Sequence, residues 1–223
     1  MYFCQYQEEQ KLNLNYIKIK YNQLIEKIKI KGINNTIKEV FFLNKTAITF
    51  HKKLKDYQID SELLSNIESK IISISSLDCV VQYSFPNKSR YLKLVANIKQ
   101  GYEVFLYVLK DEVVGDCWFA TSLDTSKKLL HPDIKLFRIN PAKKSAYMFD
   151  MFVKPEERGT QITNSILKYA FYCFKQRGIT DVYSYVMSNN IPAIWTVRTL
   201  GFKELKKLKM NYLLFYKSTS EYK

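Results

Sequence analysis

Residues 153–163 read VKPEERGTQIT, and residues 189–202 read NNIPAIWTVRTLGF. The first segment follows an apolar run that is typical of a strand, and it leads into apolar residues at helical spacing. The first backbone N–H groups of a helix have no partner inside it, and that end carries partial positive charge. The Arg158-Gly159 turn therefore predicts an anion-binding site, although such a turn by itself is more often an ordinary strand–helix connection.

The residues around these segments predict alternating strands and helices. In the C-terminal third we predict a helix over Gly159–Arg177, a strand over Asp181–Met187, a helix over Ile191–Leu200 and a strand over Phe202–Tyr216. Before them we predict strands over 46–52, 71–83, 103–109, 113–120, 134–139 and 146–153, with a helix over 86–100 and a loop over 121–132. Antiparallel hairpins followed by β-α-β-α-β indicate an α/β (α+β) domain built on one mixed sheet.

The N-terminal residues are expected to be an extension of this domain. Residues 12–31 are predicted to form an amphipathic helix that ends near Gly32, although their alternating Ile and Lys residues also permit a strand. A second short helix is predicted over 35–43. Such a basic helix either packs on the domain or binds an anionic membrane surface or an acidic partner. We expect a helical extension over 1–45, a domain over 46–217 and a tail over 218–223.

The composition is that of a folded protein. The chain has 223 residues, of which 47% are hydrophobic, and it contains 6 Gly and 5 Pro. These values exclude intrinsically disordered and collagen-like proteins. No apolar run approaches the roughly 18 residues of a membrane span, and the first residues lack the pattern of a secretory signal. We therefore expect a soluble, cytoplasmic protein.

The net charge of +14 favours anionic partners: phosphorylated cofactors, acidic carrier proteins, nucleic acid or anionic lipid. Of the 35 basic residues only five are Arg, whereas nucleic-acid-binding proteins usually rely on Arg for bidentate contacts. Part of the charge is consistent with AT-rich codons, which also supply Ile, Asn and Tyr. Binding to nucleic acid is thus motivated by charge alone and is not expected.

The cysteines and histidines indicate no metal centre. The residues concerned are Cys4, Cys79, Cys117, Cys173, His51 and His131. The cysteines are far apart and include no CxxC pair, so they predict neither a zinc site nor a disulfide framework. We expect reduced thiols and no metal cofactor.

Together the two quoted segments resemble the GNAT superfamily of acyl-CoA-dependent N-acyltransferases. In that family a strand ends in a V-x-P-x-x-R-G-x-G-x-G/A loop, and a later helix carries N-x-x-A and ends in L-G-F. The matching residues are Val153, Pro155, Arg158, Gly159, Asn190, Ala193, Leu200, Gly201 and Phe202. The resemblance is close over 146–204 and holds for the order of elements from 70 to 216. It implies a mixed, mostly antiparallel central sheet flanked by helices.

The resemblance also implies a donor, acetyl-CoA or another acyl-CoA. Backbone groups of Met151, Phe152 and Val153 would bind its pantetheine arm. Asn190, which shares the N-x-x-A motif with Ala193, would contact the donor or hold the adjoining loop. The amides that would bind the donor phosphates are those of Arg158, Gly159, Thr160, Gln161, Ile162 and Thr163. Gln161 and Thr163 replace the small residues that are usual in the family, so the side chain at 161 must turn aside.

Direct transfer to an amine needs a base, donors for the thioester oxygen, and an acid or water for the leaving thiolate. Asp150 is the candidate base, because a carboxylate in the apolar run YMFDMFV is costly to bury unless it is paired or functional. A structural hydrogen bond is the alternative role. His131, in the loop before this strand, is either a base or substrate contact or a surface residue.

The acid is the position at which the sequence departs most from the family. The family's usual Tyr corresponds to Val197, which has no proton to donate. Tyr183, Tyr185, Ser188 or water would replace it; otherwise the activity is weak or lost.

We therefore expect an N-acyltransferase that moves an acetyl or longer acyl group from CoA to an amine by direct transfer. The alternatives are a donor carried by an acyl carrier protein, and a catalytically degenerate binding module. Small-molecule, peptide and protein amines are all open as acceptors, because a fold does not fix a substrate. The acyl chain length and the oligomeric state are also open.

Overall fold

The computed structural model shows one mixed sheet with helices on both faces. It describes residues 21–22, 24–26, 28–29, 32–34, 43–55, 57–59, 61–76, 83–122, 131–213 and 216–221. The strands are β1 (Leu43–Lys53), β2 (Ile71–Ile74), β3 (Glu103–Leu109), β4 (Glu112–Ser122), β5 (Ser145–Val153), β6 (Asp181–Met187), β7 (Lys203–Leu213) and β8 (Tyr216–Glu221). The helices are α1 (Ser61–Glu68), α2 (Lys88–Lys99), α3 (Pro132–Leu136), α4 (Ile162–Gln176) and α5 (Ile191–Thr199).

The strands lie in the order β2-β3-β4-β5-β6-β1-β7-β8. Every neighbouring pair is antiparallel except β5 and β6, which are parallel. Lys110 and Asp111 join β3 to β4 with φ angles of 49° and 62°. Two central residues with positive φ give the turn whose twist suits a tight hairpin. The mixed, mostly antiparallel sheet that the sequence predicts is confirmed.

Strand β1 lies between β6 and β7 and runs antiparallel to both. Its interior residues, Ala47 and Phe50, are fully buried. The segment that follows the N-terminal residues is therefore an interior strand of the sheet.

The sheet separates two hydrophobic clusters. The first lies under α1, α4 and α5, and the second lies under α2 and α3. Helix α4 supplies six buried apolar residues to the first cluster: Ile162, Ile166, Leu167, Ala170, Phe171 and Phe174. Full burial of an Ile or Phe side chain contributes about 1.5–3 kcal/mol. Packing on the sheet thus fixes the position of α4, and with it the position of its N-terminus.

The two parallel strands separate half-way along β5. Their pairing runs from Ser145 opposite Asp181 to Met148 opposite Ser184 and goes no further. At the same point the register between β4 and β5 shifts, so that Phe149 is an extra residue in β5. A bulge of this kind bends its strand and increases the local twist. Beyond Met148, the end of β5 remains paired with β4 but has left β6.

Most of the strand and helix predictions agree with the structure, and one of them is wrong in kind. Residues 134–139 were predicted to be a strand, but Pro132–Leu136 is a short helix. The side chain of His131 accepts a hydrogen bond from the Asp133 N–H, and Pro132 occupies the first turn, where its missing N–H costs nothing. Helix α1 was not predicted at all.

Several boundaries also differ from the prediction. Of the strand predicted over 71–83, residues 71–74 form β2 and residues 75–76 lie beyond its end, while residues 77–82 lie outside the described part of the chain. Residues 218–221, predicted to be tail, belong to β8, which pairs with β7. Their alternation was hard to recognise because the strand KSTSE is polar on both sides. The helix predicted from Gly159 begins at Ile162, because the chain first makes a short 3₁₀ turn.

The N-terminal helix can be compared with the prediction only in part. The described residues between Tyr21 and Lys29 are helical. Gly32 has a φ of 77°, and its N–H donates to the Ile28 carbonyl at 2.9 Å. This is the glycine helix end that the sequence predicts. Residues 1–20 and 35–42, which carry the rest of the predicted extension, lie outside the described residues. No helix in the described part of the chain is long and apolar enough to cross a membrane.

Candidate active site

A cavity of about 580 Å³ occupies the gap between the ends of β5 and β6. It is bordered by β5 from Met148 to Val153, by β6 from Ser184 to Met187, and by the first turns of α4 and α5. Its walls include Val197 from the first hydrophobic cluster and Phe149 from the second. The gap therefore connects the two faces of the sheet, so that two ligands can approach each other from opposite sides.

One edge of β5 offers backbone groups to this gap. The Lys154 N–H donates to the Val114 carbonyl of β4 at 2.8 Å. Neighbouring residues of a strand direct their N–H and C=O groups to opposite edges. Met151 and Val153 therefore direct theirs away from β4 and towards the gap. The Val153 carbonyl accepts a hydrogen bond from Arg158 Nε at 3.2 Å, which holds the Arg158 side chain at the end of the strand.

The N-terminus of α4 lies at the same end of the gap. Within the described chain, no hydrogen bond uses the backbone N–H groups of Gly159, Thr160, Gln161 or Thr163. Gly159 has a φ of 84°, a conformation that glycine adopts without strain. Unpaired amides at a helix N-terminus form a site for phosphate oxygens.

The side chain of Gln161 does turn aside. Its Oε1 accepts a hydrogen bond from Asn164 Nδ2 at 2.9 Å, along the first turn of the helix. Thr160 Oγ1 donates to the Glu157 carbonyl at 2.6 Å, within the loop. The two polar side chains are thus bonded to their own segment, and the loop keeps its amides although it has fewer glycines than is usual in the family.

Asn190 stands at the start of α5 and also lines the cavity. Its Oδ1 accepts from the Ala193 N–H at 3.3 Å, so the side chain caps the helix. Val197, about one turn beyond Ala193 along α5, is buried in the cavity wall. The motif residues of the second quoted segment therefore shape the wall that faces the end of β5.

Asp150 belongs to a network of four charges. Its Oδ2 lies 2.9 Å from Arg90 Nη1 and 2.6 Å from Lys93 Nζ, both on α2. The same guanidinium donates from Nε and Nη2 to the two oxygens of Asp116. It also lies over the ring of Phe152, 4.9 Å from its centroid. Two cations and two anions thus form a paired cluster between α2 and the sheet, as buried charges require.

The two carboxyl groups have opposite pKa shifts. Burial alone raises the pKa of Asp150, but Arg90 and Lys93 outweigh burial and hold it below its ordinary value. Burial is the dominant influence on Asp116, which is only 3% exposed, and it raises the pKa to about 6 although Arg90 opposes the shift. Asp150 is therefore charged at neutral pH, while Asp116 titrates close to neutrality.

The candidate replacements for the missing acid are not equally placed. Tyr185 lines the cavity. Tyr183 does not line it, and its hydroxyl accepts from the Ala142 N–H at 3.2 Å. Ser188 is not among the lining residues either, whereas Ser184, which the sequence did not suggest, is one of them. Tyr185 is thus the predicted hydroxyl that lies closest to the gap.

His131 caps α3 through its Nδ1, 3.2 Å from the Asp133 N–H. Its ring stacks on Phe149 with centroids 4.2 Å apart. Because Phe149 lines the cavity and His131 does not, the histidine lies behind the wall.

The sequence also missed Arg90, Lys93 and Asp116. Asp116 had a recognisable signal, because it is a carboxylate in the apolar run VVGDCWFA, the same pattern that identified Asp150. Arg90 and Lys93 had none, since they belong to an ordinary amphipathic helix. As for metals, the described residues contain no group of three or more His, Cys, Asp or Glu placed to hold an ion.

A model of the acetyltransferase (GNAT) family matches residues 72–202, which is more than half of the chain. The chain belongs to this family. GNAT acetyltransferases transfer acyl groups from CoA, with acetyl-CoA as their general donor and amines as their general acceptors. The predicted family and fold class are therefore confirmed.

Solved structures show the same fold at low sequence identity. One is the GCN5-related glucosamine N-acetyltransferase region of a fungal multi-domain GH3 β-N-acetylglucosaminidase, with 19% identity and a TM-score of 0.56 over 76% of this chain and 21% of that one. Another is a putative GNAT acetyltransferase from Novosphingobium aromaticivorans, with 12% identity and a TM-score of 0.52 over 80% of this chain and 66% of that one. This GNAT chain thus spans about a fifth of the first protein and just under two thirds of the second. No curated protein matches it at a significant level.

Proposed function

We propose that this GNAT protein transfers an acetyl or longer acyl group directly from acyl-CoA to an amine. The observation that carries the proposal is the gap between β5 and β6. One cavity there meets the backbone edge of β5, the first turn of α4 and the carboxylate of Asp150. These features suit a pantetheine arm, phosphates and an ammonium group respectively. A cytoplasmic location, where acyl-CoA is available, belongs to the same proposal.

The donor is held mainly by backbone groups. The N–H and C=O of Met151 and the N–H of Val153 bind the pantetheine amides much as an added strand would. Arg158 and the amides of Gly159, Thr160, Gln161 and Thr163 bind the phosphates, with the charge of the guanidinium added to the partial charge of the helix end. Asn190 and Ala193 hold the opposite wall. The bound donor supplies an acyl group that is already activated as a thioester.

Asp150 binds the acceptor and takes its proton. The contacts that Arg90 and Lys93 make with Asp150 are both to Oδ2. An ammonium group can therefore bind at Oδ1 while the network stays intact. Because the pKa of Asp150 is held low, the carboxylate is a good electrostatic partner but a weak base.

Tyr185 is the proposed acid for the leaving thiolate. Val197 occupies the place of the usual tyrosine in the wall of α5, and Tyr185 faces the same cavity from β6. A phenol on the neighbouring strand can donate a proton to the thiolate sulfur from there.

The experiment that tests this function uses Asp150→Asn, which keeps the shape of the side chain and removes its charge. Binding of acetyl-CoA is measured by calorimetry, and transfer is measured as thiol release with a panel of amines. We expect the affinity for acetyl-CoA to be unchanged and the kcat/KM for the amine to fall by about a hundredfold or more. Glu112→Gln is the matched control, because Glu112 lies on the same sheet and pairs with Lys154, with both side chains about one-third exposed.

Undiminished transfer by Asp150→Asn would remove Asp150 as the base. Acyl carrier protein belongs in the donor panel: transfer from it and none from acyl-CoA would support the carrier-dependent enzyme. Tight binding of acetyl-CoA with no transfer from any donor would support a binding module.

A further inference from the structure

Lys93 has a second relationship to the candidate site, beyond its part in the charge network. Its ammonium nitrogen lies 2.6 Å from Asp150 Oδ2, the carboxylate that the proposed function assigns to the acceptor amine. The side chain of Lys93 is 25% exposed, whereas that of Arg90, which shares the oxygen, is 10% exposed. Lys93 is thus a primary amine held at the catalytic carboxylate and partly open to solvent.

Lys93 does not itself line the cavity, but it bonds to Asp150, which does. Asp150 precedes Met151, whose backbone N–H is directed towards the gap where the pantetheine arm would bind. The carboxylate that holds the Lys93 amine thus belongs to a residue that lines the proposed donor site. Because α2 packs on the sheet through buried Leu94 and Ile98, the base of the Lys93 side chain is fixed there. Proximity of this kind greatly raises the effective concentration of an amine.

We propose that Lys93 is an acyl acceptor within the protein itself, so that the enzyme acylates its own α2. This inference rests on the proposed function, since it uses the same donor site and the same base. The Lys93 ammonium loses a proton to Asp150, and the neutral Nζ attacks the thioester carbonyl. The new N–C bond forms as the C–S bond breaks. A second proton passes from the nitrogen to the departing thiolate, which is released as the CoA thiol. Asp150 then returns its proton to solvent.

Acylation would change the charge network. The amide of an acylated Lys93 carries no charge, so Asp150 would keep only Arg90 as a cationic partner. An external ammonium would then meet less electrostatic competition at the carboxylate. Self-acylation is therefore expected to improve the binding of external amines, and it should appear as a lag that disappears when the protein is first incubated with acetyl-CoA.

The test is to incubate the full-length protein with acetyl-CoA and no added amine, and to follow intact mass and lysine occupancy by peptide mapping. We expect Lys93 to be acetylated at least about tenfold faster than any other lysine, at a rate that does not depend on protein concentration. Lys93→Arg keeps the positive charge and should remove the first acetylation. Lys99→Arg, on the exposed last turn of the same helix, is the matched control and should leave it unchanged.

Each outcome separates this inference from the proposed function. Acetylation of an external amine with Lys93 unmodified, or with modification spread evenly over exposed lysines, overturns self-acylation and leaves the proposed function standing. Acetylation of Lys93 with no transfer to any external amine supports self-acylation and removes the external acceptor from the proposed function. Failure of acetyl-CoA to bind, with Lys93 unmodified, overturns both.

Discussion

Arg90 should be the side chain on which the stability of the candidate site most depends. Its three guanidinium nitrogens bond to Asp116 and Asp150, and its side chain is 10% exposed. Arg90→Met keeps much of the length but leaves Asp116 buried without its cation. Removing one partner of a buried ion pair costs about 3–5 kcal/mol. Asp150 keeps Lys93, so we expect the cost to fall mainly on Asp116.

The loss should depend on pH, and the pKa of Asp116 gives the direction. In the folded protein the pKa of Asp116 is already raised from 3.8 to about 6. Arg90 lowers this pKa, so the loss of Arg90 should raise it further. A carboxyl group whose pKa is higher in the folded than in the unfolded protein contributes most to stability below its unfolded pKa. This contribution to stability is lost as the pH rises through the folded pKa. The cost of Arg90→Met at pH 7 should therefore exceed that at pH 5 by up to about 1.4 kcal/mol, because a folded pKa of about 6 leaves only one pH unit below pH 7 in which the two proteins differ in protonation.

The measurement is urea unfolding, followed by circular dichroism at pH 5 and pH 7 and at constant salt. Arg138→Met is the matched control, because Arg138 pairs with Glu221 while both side chains are about half exposed. Exposed pairs contribute about 0–1 kcal/mol. Arg90→Lys, which keeps a charge but cannot bond to both carboxylates, should give an intermediate loss if Arg90→Met does not fold. Equal losses for Arg90→Met and Arg138→Met, or equal losses for Arg90→Met at both pH values, would refute this account.

Three further predictions concern the donor site and the acid. Gly115→Ala places a Cβ 2.8 Å from Ile162 Cγ2, so we expect the start of α4 to move. The substitution should cost about 1–3 kcal/mol in urea unfolding and should weaken the binding of acetyl-CoA. Unchanged binding would contradict a fixed helix N-terminus. Arg158→Gln should weaken acetyl-CoA binding by roughly ten- to a hundredfold in low-salt calorimetry, with a smaller effect at high salt; an effect that ignores salt would argue against a phosphate contact. Tyr185→Phe should lower kcat by about a hundredfold or more without changing the affinity for acetyl-CoA. The control Tyr183→Phe should leave turnover intact. Equal effects of the two substitutions on kcat would remove Tyr185 as the acid.

The sequence identified the donor half of the candidate site because its signals are local. The turn at Arg158-Gly159 and the N-cap at Asn190 each depend on a few consecutive residues. Asp150 was also identified, since a charge in an apolar strand is visible without knowledge of its partners. Its partners were not predictable: Arg90 lies 60 residues away, and only packing brings it to the carboxylate. The error at 134–139 was avoidable, because His131-Pro132 is a recognisable helix start.

The sequence by itself determined the β3–β4 hairpin, the order of helices and strands from β5 to β7, the glycine turns between them and the family of the fold. Those features follow from side-chain periodicity and from backbone conformations that few residues adopt. Only the tertiary structure decided that β1 lies between β6 and β7, that β5 leaves β6 beyond Met148, and that α2 brings two cations to Asp150. Each of these depends on contacts between residues far apart in the chain, where burial of apolar surface and pairing of buried charge select the arrangement.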